Sequence, residues 1–509
     1  MLLYFSIVLL IGLYTAAKTR GKGAEQYFLA GKNVGWLAIG MSLFATNISS
    51  EHLVGLAGAG SSNGFIVGQF EWLAIFILFL LGWVFAPIFI KSNVYTIPEF
   101  LGKRFGTKSR IYLSVISISS YLFTKIAVTI IAGGFLLSAV LGWDMFTAVV
   151  LIVFLTGLYT VVGGLSSVIN TQIFQTVILI SGAFFLTFFG IKEIGGLSAL
   201  TAKLPHDYFK MFKPFSDPNF PWTGILFGAP ILGIWYWCTD QYIVQRILSA
   251  KGIKAARKGT VLAAALKFFP IFLLIIPGLI AAILYPEVRG DEAYSLLLSG
   301  SLLPVGIKGI VISGLFAALM SSLASAFNSS ATLISIDLIK PYKKNISGRE
   351  LVLVGRLATV LMVFLSIMIV PLLRVLDTNI YIYLQSLQAY ISPPIAAVFL
   401  IGIFWKGATS KGVFYSLAIG GFLGLIRIVS TFLDPSTLGN IFGLNYFVNI
   451  NFLHFAFLLF LVSTFILVSV SLSDKKALAV SPISPRFILR SAGAKFVPKR
   501  MQSKKTRIK

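Results

Sequence analysis

Cysteine is almost absent. Cys238 is the one cysteine in 509 residues, so no disulfide closes within the chain and no thiolate metal cluster assembles. Histidine is nearly as scarce, with three residues, and the 17 Asp and Glu are far outnumbered by 42 Lys and Arg. A chain so short of acids and nucleophile–His pairs offers little covalent catalysis, and we read it as a non-enzyme that needs no organic cofactor. Charge of either sign is sparse as well, at 12% against 57% hydrophobic residues. The longest polar stretch between apolar runs, about 192–221, is too short for a soluble catalytic domain.

What the chain has is apolar runs from end to end, so its solvent is a bilayer. Spans are expected near 34–60, 64–90, 111–140, 146–162, 173–191, 222–244, 261–285, 302–339, 351–376, 380–404, 413–432 and 448–472. With a short run at 2–16 they make about thirteen. Period-two alternation is weak, which leaves helices as the way to satisfy the backbone in lipid. Because Lys18, Arg20 and Lys22 follow the first run, it reads as a retained helix and not as a signal peptide.

Charge fixes the expected orientation. Basic clusters at 18–32, 91–110, 246–258, 340–349 and 406–411 alternate with loops carrying Asp144, Glu287, Asp291, Glu292, Asp377 and Asp434. The basic loops are therefore placed in the cytoplasm, with the N-terminus outside and the basic tail inside, as in a multi-pass plasma (inner) membrane protein. The net charge of +25 is accounted for by these loops and by the tail. Attraction to the lipid bilayer explains it without nucleic acid, for which no basic soluble domain presents a groove.

Two groups of five spans, 34–191 and 222–405, each open on an interrupted helix, "FATNISSEHLVGLAGAG" and "GAPILGIWYWCTDQ". Paired broken helices are the sequence mark of an inverted-repeat transporter, in which freed carbonyls line a cavity and coordinate a cation. The expected organisation is an extra helix and loop (1–33), two repeats separated by an external loop (192–221), two more helices (406–473) and the tail (474–509).

Polar residues deep in spans mark the candidate site. Glu71 falls about seven residues into its span, roughly 10 Å at 1.5 Å per residue, and Lys267 lies about a third to half way along another. Charges there are costly, so each is read as functional, with an ion pair tying two helices together as the bland alternative. Tyr236 and Trp237 sit near a midplane, where a ring face covers a ligand. Gln385 and Gln388 occupy a helix broken by Pro393 and Pro394, and His52 follows the first unwound segment within one turn. Ser321 and Ser322 supply paired hydroxyls suited to a hard cation, whereas Ser325, Ser329 and Ser330 serve equally for close helix packing. His206 and His454 read as bland.

Taken in order, "YFLAGKNVGW" (27–36), "ATNISSEHLVGLAGAG" (45–60), "GQFEWLA" (68–74), "YTIPEFLGKRFG" (95–106), "LYTVVGGLSSV" (158–168), "WYWCTDQYIVQR" (235–246), "MSSLASAFNSSATL" (320–333) and "SPPIAAVFLIGIFWK" (392–406) resemble the sodium/glucose cotransporters of the sodium:solute symporter family. The resemblance covers about 27–472 and implies an all-α polytopic protein with a LeuT-type 5+5 inverted repeat. Members often carry fourteen spans, one more than here. The resemblance implies a sodium site from the carbonyls of Ala45, Ile48 and Ala318 with the hydroxyls of Ser321 and Ser322. It also implies a sugar site from Asn47, His52, Glu71, Tyr236, Trp237, Lys267 and Gln385, with Asn47 bonding the gating Tyr236. Two positions depart from the pattern. Gln172 stands where many relatives have Asp, which argues for one sodium, and Gly233 stands where sugar transporters place Thr or Asn. The expected function is sodium-coupled symport of a glucose- or galactose-like sugar. Its alternatives are another neutral solute such as an inositol or amino acid, or a sugar sensor that does not accumulate its ligand.

Overall fold

The computed structural model describes residues 1–287, 290–343, 345–371, 380–431, 433 and 444–474. Asp377, Asp434 and the basic tail beyond Asp474, all used in the charge argument, lie outside these residues. Among the described residues the ordered backbone is helical, apart from isolated bridges at Val34–Ala250 and Lys213–Pro221.

Among the described residues ten helices are long and apolar enough to cross a membrane. The expectation of about thirteen differs for three physical reasons. Met145–Ile194 runs on as 50 helical residues, but Gly164 (φ 56°, ψ −150°) divides it at a conformation that favours glycine. A Cβ there would lie 2.4 Å from the Tyr27 carbonyl oxygen, so the same glycine admits a neighbouring backbone. Trp36–Asn47 is separated from the helical residues after it by an extended Ile48 (φ −78°, ψ 111°). The 222–248 region is divided at Asp240, also extended (φ −77°, ψ 125°). Each expected repeat therefore does open on a broken helix, and the broken segments are too short to count as spans alone.

Burial sorts the helices by role. In Val305–Ile339 94% of the most apolar window is buried, against 33% in Gly348–Ile369, so the first runs through the protein and the second faces lipid. Small residues set the closest approach in the middle. A Cβ on Gly182 would stand 3.1 Å from Val311 Cα, and one on Gly314 would stand 3.3 Å from the Ile178 carbonyl oxygen. Two facing glycines thus let the 145–194 and 305–333 helices meet nearly backbone to backbone, the packing mode available where lipid gives no hydrophobic drive.

The loops segregate by charge. The basic loops touch one another: Lys32 bonds Asn93, the Val34 N–H donates to the Ser249 carbonyl at 3.0 Å, Lys340 lies over the Tyr95 ring, and Arg104 donates to the Gly402 carbonyl at 3.1 Å. On the opposite face the Tyr208 hydroxyl donates to the Ser61 carbonyl at 2.9 Å, and the Ile380 N–H donates to Asp291 at 2.9 Å. Five basic stretches far apart in sequence thus share one face, as the alternation of loop charge requires.

Candidate functional site

The unwound Ile48 lies beside the 305–333 helix. There the Ser321 hydroxyl donates to the Ala45 carbonyl at 2.7 Å and lies 3.0 Å from the Ala318 carbonyl, so three of the five expected sodium ligands share one spot. The fourth, Ser322, points to the Thr46 carbonyl at 3.4 Å. Ile48 is buried at the helix end, but among the described residues no hydrogen bond ties it to either serine. The resulting set is hard oxygen from carbonyl and hydroxyl, without carboxylate, chemistry that suits a small monovalent cation.

Next to it lies a second polar cluster. The Gln172 amide donates to the Ser325 hydroxyl at 2.8 Å, to the Ser321 carbonyl at 3.0 Å and to the Thr46 hydroxyl at 3.1 Å. The buried Arg246 guanidinium donates to the Tyr242 carbonyl at 2.7 Å and to Ser325 at 2.5 Å. Donors here occupy the acceptors that a second cation would require.

A cavity opens beside the unwound segment, with about 590 Å³ of unfilled space, part of it open. All seven expected substrate residues line it. Lys267 pairs with Glu71 and also donates to the Asn47 side-chain oxygen at 2.7 Å; the Asn47 amide in turn donates to the Tyr236 hydroxyl at 3.2 Å. His52 Nε2 is 3.9 Å from Glu71 Oε1, and its Nδ1 is buried without a hydrogen bond. Trp237 stands edge-to-face with Tyr236, centroids 5.2 Å apart, and Gln385 donates to the Tyr381 hydroxyl at 3.2 Å. The Glu71–Lys267 ion pair, entertained from sequence as a mere tie, is present, but it sits in the cavity wall with Asn47 attached. Gly233 is in that wall as well, and a Cβ there would meet only the mobile end of Ile77, at 2.3 Å.

Sequence reasoning missed several wall residues. Glu51, quoted within the unwound motif but given no role, lies 3.9 Å from His52 and accepts from the Thr129 hydroxyl at 3.1 Å. Lys125 places its ammonium 4.0 Å from the Tyr236 ring centroid. The signal for Lys125 was available, a lone charge in the apolar "YLFTKIAV", the same kind of signal that singled out Glu71 and Lys267. Phe70 and Tyr381 carried no such mark, because an aromatic ring in a span is ordinarily packing. His454, read as bland, bonds Thr223 at 2.7 Å and stacks on Phe215, while His206 is exposed. Cys238 is buried and free.

Comparison with known proteins places this architecture. The family model for the sodium:solute symporter family matches residues 27–420. Sodium/glucose cotransporter 1 of Oryctolagus cuniculus is 38% identical over 521 residues, covering 93% of this chain and 78% of the relative. The sodium/myo-inositol cotransporter of Homo sapiens is 38% identical over 475 residues, covering 84% and 66%. Among solved structures, the substrate-bound outward-open state of a Na+-coupled sialic acid symporter superposes with a TM-score of 0.78 at 24% identity, over 93% of this chain and 97% of that one. Mhp1, a nucleobase-cation-symport-1 family transporter in a closed conformation, gives 0.56 at 12% identity over 93% and 99%. The broken helices, the all-helical multi-pass architecture and the span of these matches lead to one conclusion: the chain belongs to the sodium:solute symporter family, as a transporter with a LeuT-type fold and not an enzyme.

Proposed function

We propose that the solute carried with sodium is a sugar of glucose or galactose type. The observation that carries this reading is the cavity wall, where two carboxylates (Glu51 and Glu71), two ammoniums (Lys125 and Lys267), three carboxamides (Asn47, Gln385 and Gln388), the His52 imidazole and two tyrosine hydroxyls converge with the Trp237 indole. A sugar presents hydroxyls that both donate and accept around its rim and C–H bonds on its faces, so acceptors and donors at the wall satisfy the first and Trp237 covers the second. Glu71 disfavours an anionic solute, because the ammonium facing it is already neutralised by the pair.

In this reading sodium binds where Ser321 meets the Ala45 and Ala318 carbonyls, with Ile48 and Ser322 completing the shell. It holds the unwound segment in the form that carries Asn47 and His52 into the sugar site. Coupling is reciprocal, so the sugar tightens sodium by the same factor. Phe70 and Tyr381 lie toward the acidic face, and Tyr236 and Tyr242 toward the basic one. Alternating access requires these two layers to part in turn, the basic face being cytoplasmic in the plasma membrane. One sodium crossing 100 mV gains about 2.3 kcal/mol, roughly fifty-fold accumulation before any concentration gradient.

The test is uptake of labelled glucose and galactose into proteoliposomes under an inward sodium gradient, with potassium as the control and unlabelled myo-inositol as competitor. Uphill uptake that needs sodium and is blocked by either hexose is the expected result. Transport of myo-inositol or an amino acid that hexoses fail to inhibit overturns the sugar assignment, and sugar binding without accumulation overturns symport of it in favour of a sensor.

A further inference from the structure

A second cavity lies on the basic face, away from the transport site, between the end of Leu2–Thr19, the bend at Gly163 and Gly164, and the first turns of Gly348–Ile369. Arg20, Lys22, Arg349 and Arg356 all line it, and among the described residues no carboxylate does. The nearest acids by sequence are already engaged. Glu350 closes the capping box with Ser347 and pairs with Lys343 at 3.1 Å, while Glu25 pairs with Lys32 at 3.8 Å. Arg356 donates to the Val162 carbonyl at 3.4 Å, but its Nε is buried without a hydrogen-bond partner. Arg349 lies in the first turn of a 22-residue helix, at the positive end of the helix dipole, where a cation is unfavourable and an anion is favoured. Four unneutralised cations and an unpartnered guanidinium N–H around one hollow call for a bound anion.

The surroundings say what carries that anion. On the two helices that carry the rim, Tyr14 is 69% exposed and Leu13 41%, and Leu353 is 56% and Leu357 60% exposed. Leu13 and Tyr14 lie six or seven residues before Arg20, and Leu357 eight after Arg349. At 1.5 Å per residue these exposed apolar side chains sit roughly 9–12 Å along their helices from the charged rim. The layout puts a phosphate at the rim and acyl chains along the exposed faces of the two helices.

We propose that this hollow is a binding site for an anionic glycerophospholipid of phosphatidylglycerol type. Its phosphate lies among Arg20, Arg349 and Arg356, and its chains lie along the 2–19 and 348–369 helices. A choline headgroup brings its own cation into the same ring of positive charge and is disfavoured.

The test is native mass spectrometry of the full-length purified protein exchanged against equal phosphatidylglycerol and phosphatidylcholine. The variants are Arg20→Gln/Arg349→Gln and, as a control on exposed cations elsewhere on the same face, Lys251→Gln/Lys254→Gln. Wild type and control should retain phosphatidylglycerol over phosphatidylcholine. The Arg20→Gln/Arg349→Gln protein should hold it about thirty-fold more weakly, on the order of five-fold per cation removed. Equal retention by that variant, no preference between the lipids in wild type, or displacement of phosphatidylglycerol by millimolar inorganic phosphate each overturns the proposal, the last by making this a site for free anions. Should the double variant fail to fold, the headgroup preference and phosphate competition of the wild type decide alone.

Discussion

The Ser321 hydroxyl donates its hydrogen to the Ala45 carbonyl, 2.7 Å away across the gap between an unwound helix and an intact one. The two oxygens that a cation needs side by side thus share a proton, and the carbonyl freed by unwinding is not left unsatisfied. In the proposed sodium site, a cation binding both oxygens would turn that hydrogen away and replace one hydrogen bond with two ion–dipole contacts.

Ser321→Ala removes a ligand and this bond together. The half-saturating sodium concentration for solute uptake should rise by about ten- to a hundred-fold, the worth of one charge-assisted contact. Solute affinity at saturating sodium should change far less. Uptake titrated with sodium measures both, and an unchanged sodium requirement removes Ser321 from the ion site.

Lys267 holds Glu71 and Asn47 together, so its loss leaves a buried carboxylate alone. Lys267→Ala should cost about 3–5 kcal/mol of stability, whereas Lys267→Met/Glu71→Gln should recover much of it. Neither variant should bind sugar well. Thermal unfolding in detergent, followed by solute protection, separates the structural loss from the binding loss.

Tyr236→Phe deletes the acceptor of the Asn47 amide, 3.2 Å away, while keeping the ring. The expected loss is about 1 kcal/mol, the net worth of a typical hydrogen bond. It should appear as a faster solute leak without sodium, because in the proposed cycle the contact ties the unwound segment to the residue that would close the cavity on the basic side. An unchanged leak would show that Tyr236 closes the path through its ring alone.

Asp291, in the loop after Leu284, has its carboxyl pushed up to about 6 by burial, although the Ile380 N–H opposes this. The folded state therefore binds this proton more tightly than the unfolded state. Stability should rise as pH falls from about 6 toward 4, and this added stability is lost as pH climbs back through 6. Asp291→Asn should flatten that slope in melting curves taken from pH 4.5 to 7.5, and a slope identical to wild type assigns it to other groups.

The two N–H hydrogens of Gln172 are shared among the oxygens of Thr46, Ser321 and Ser325, all within 3.1 Å of its nitrogen. Uptake should accordingly depend on sodium with a Hill coefficient near 1. A coefficient near 2 at saturating solute would show a second coupled ion despite these donors.

The sequence by itself determined the class of this protein. Runs of apolar residues leave helices as the means of satisfying backbone in lipid, and the alternation of basic loops fixes which ends lie together. An isolated charge such as Glu71 or Lys267 in such a run is costly enough to stand out in one dimension. The two breaks were legible for the same reason, since Asn47, Ser49 and Asp240 have no place in an unbroken lipid-facing helix. Tertiary structure alone decided which of these groups meet. Nothing in the local pattern says that Lys267 reaches both Glu71 and Asn47, that Gln172 and Arg246 converge on Ser325, or that His52 stands between two carboxylates. The contacts of Lys267, Gln172 and Arg246 join residues 79 to 220 positions apart. They are fixed by how close the helices come, and that closeness depends on facing glycines such as Gly182 and Gly314, whose partners only the folded chain reveals. Lys125 shows the boundary between the two: its charge was visible in the sequence, but its place over Tyr236 was a property of the packed helices.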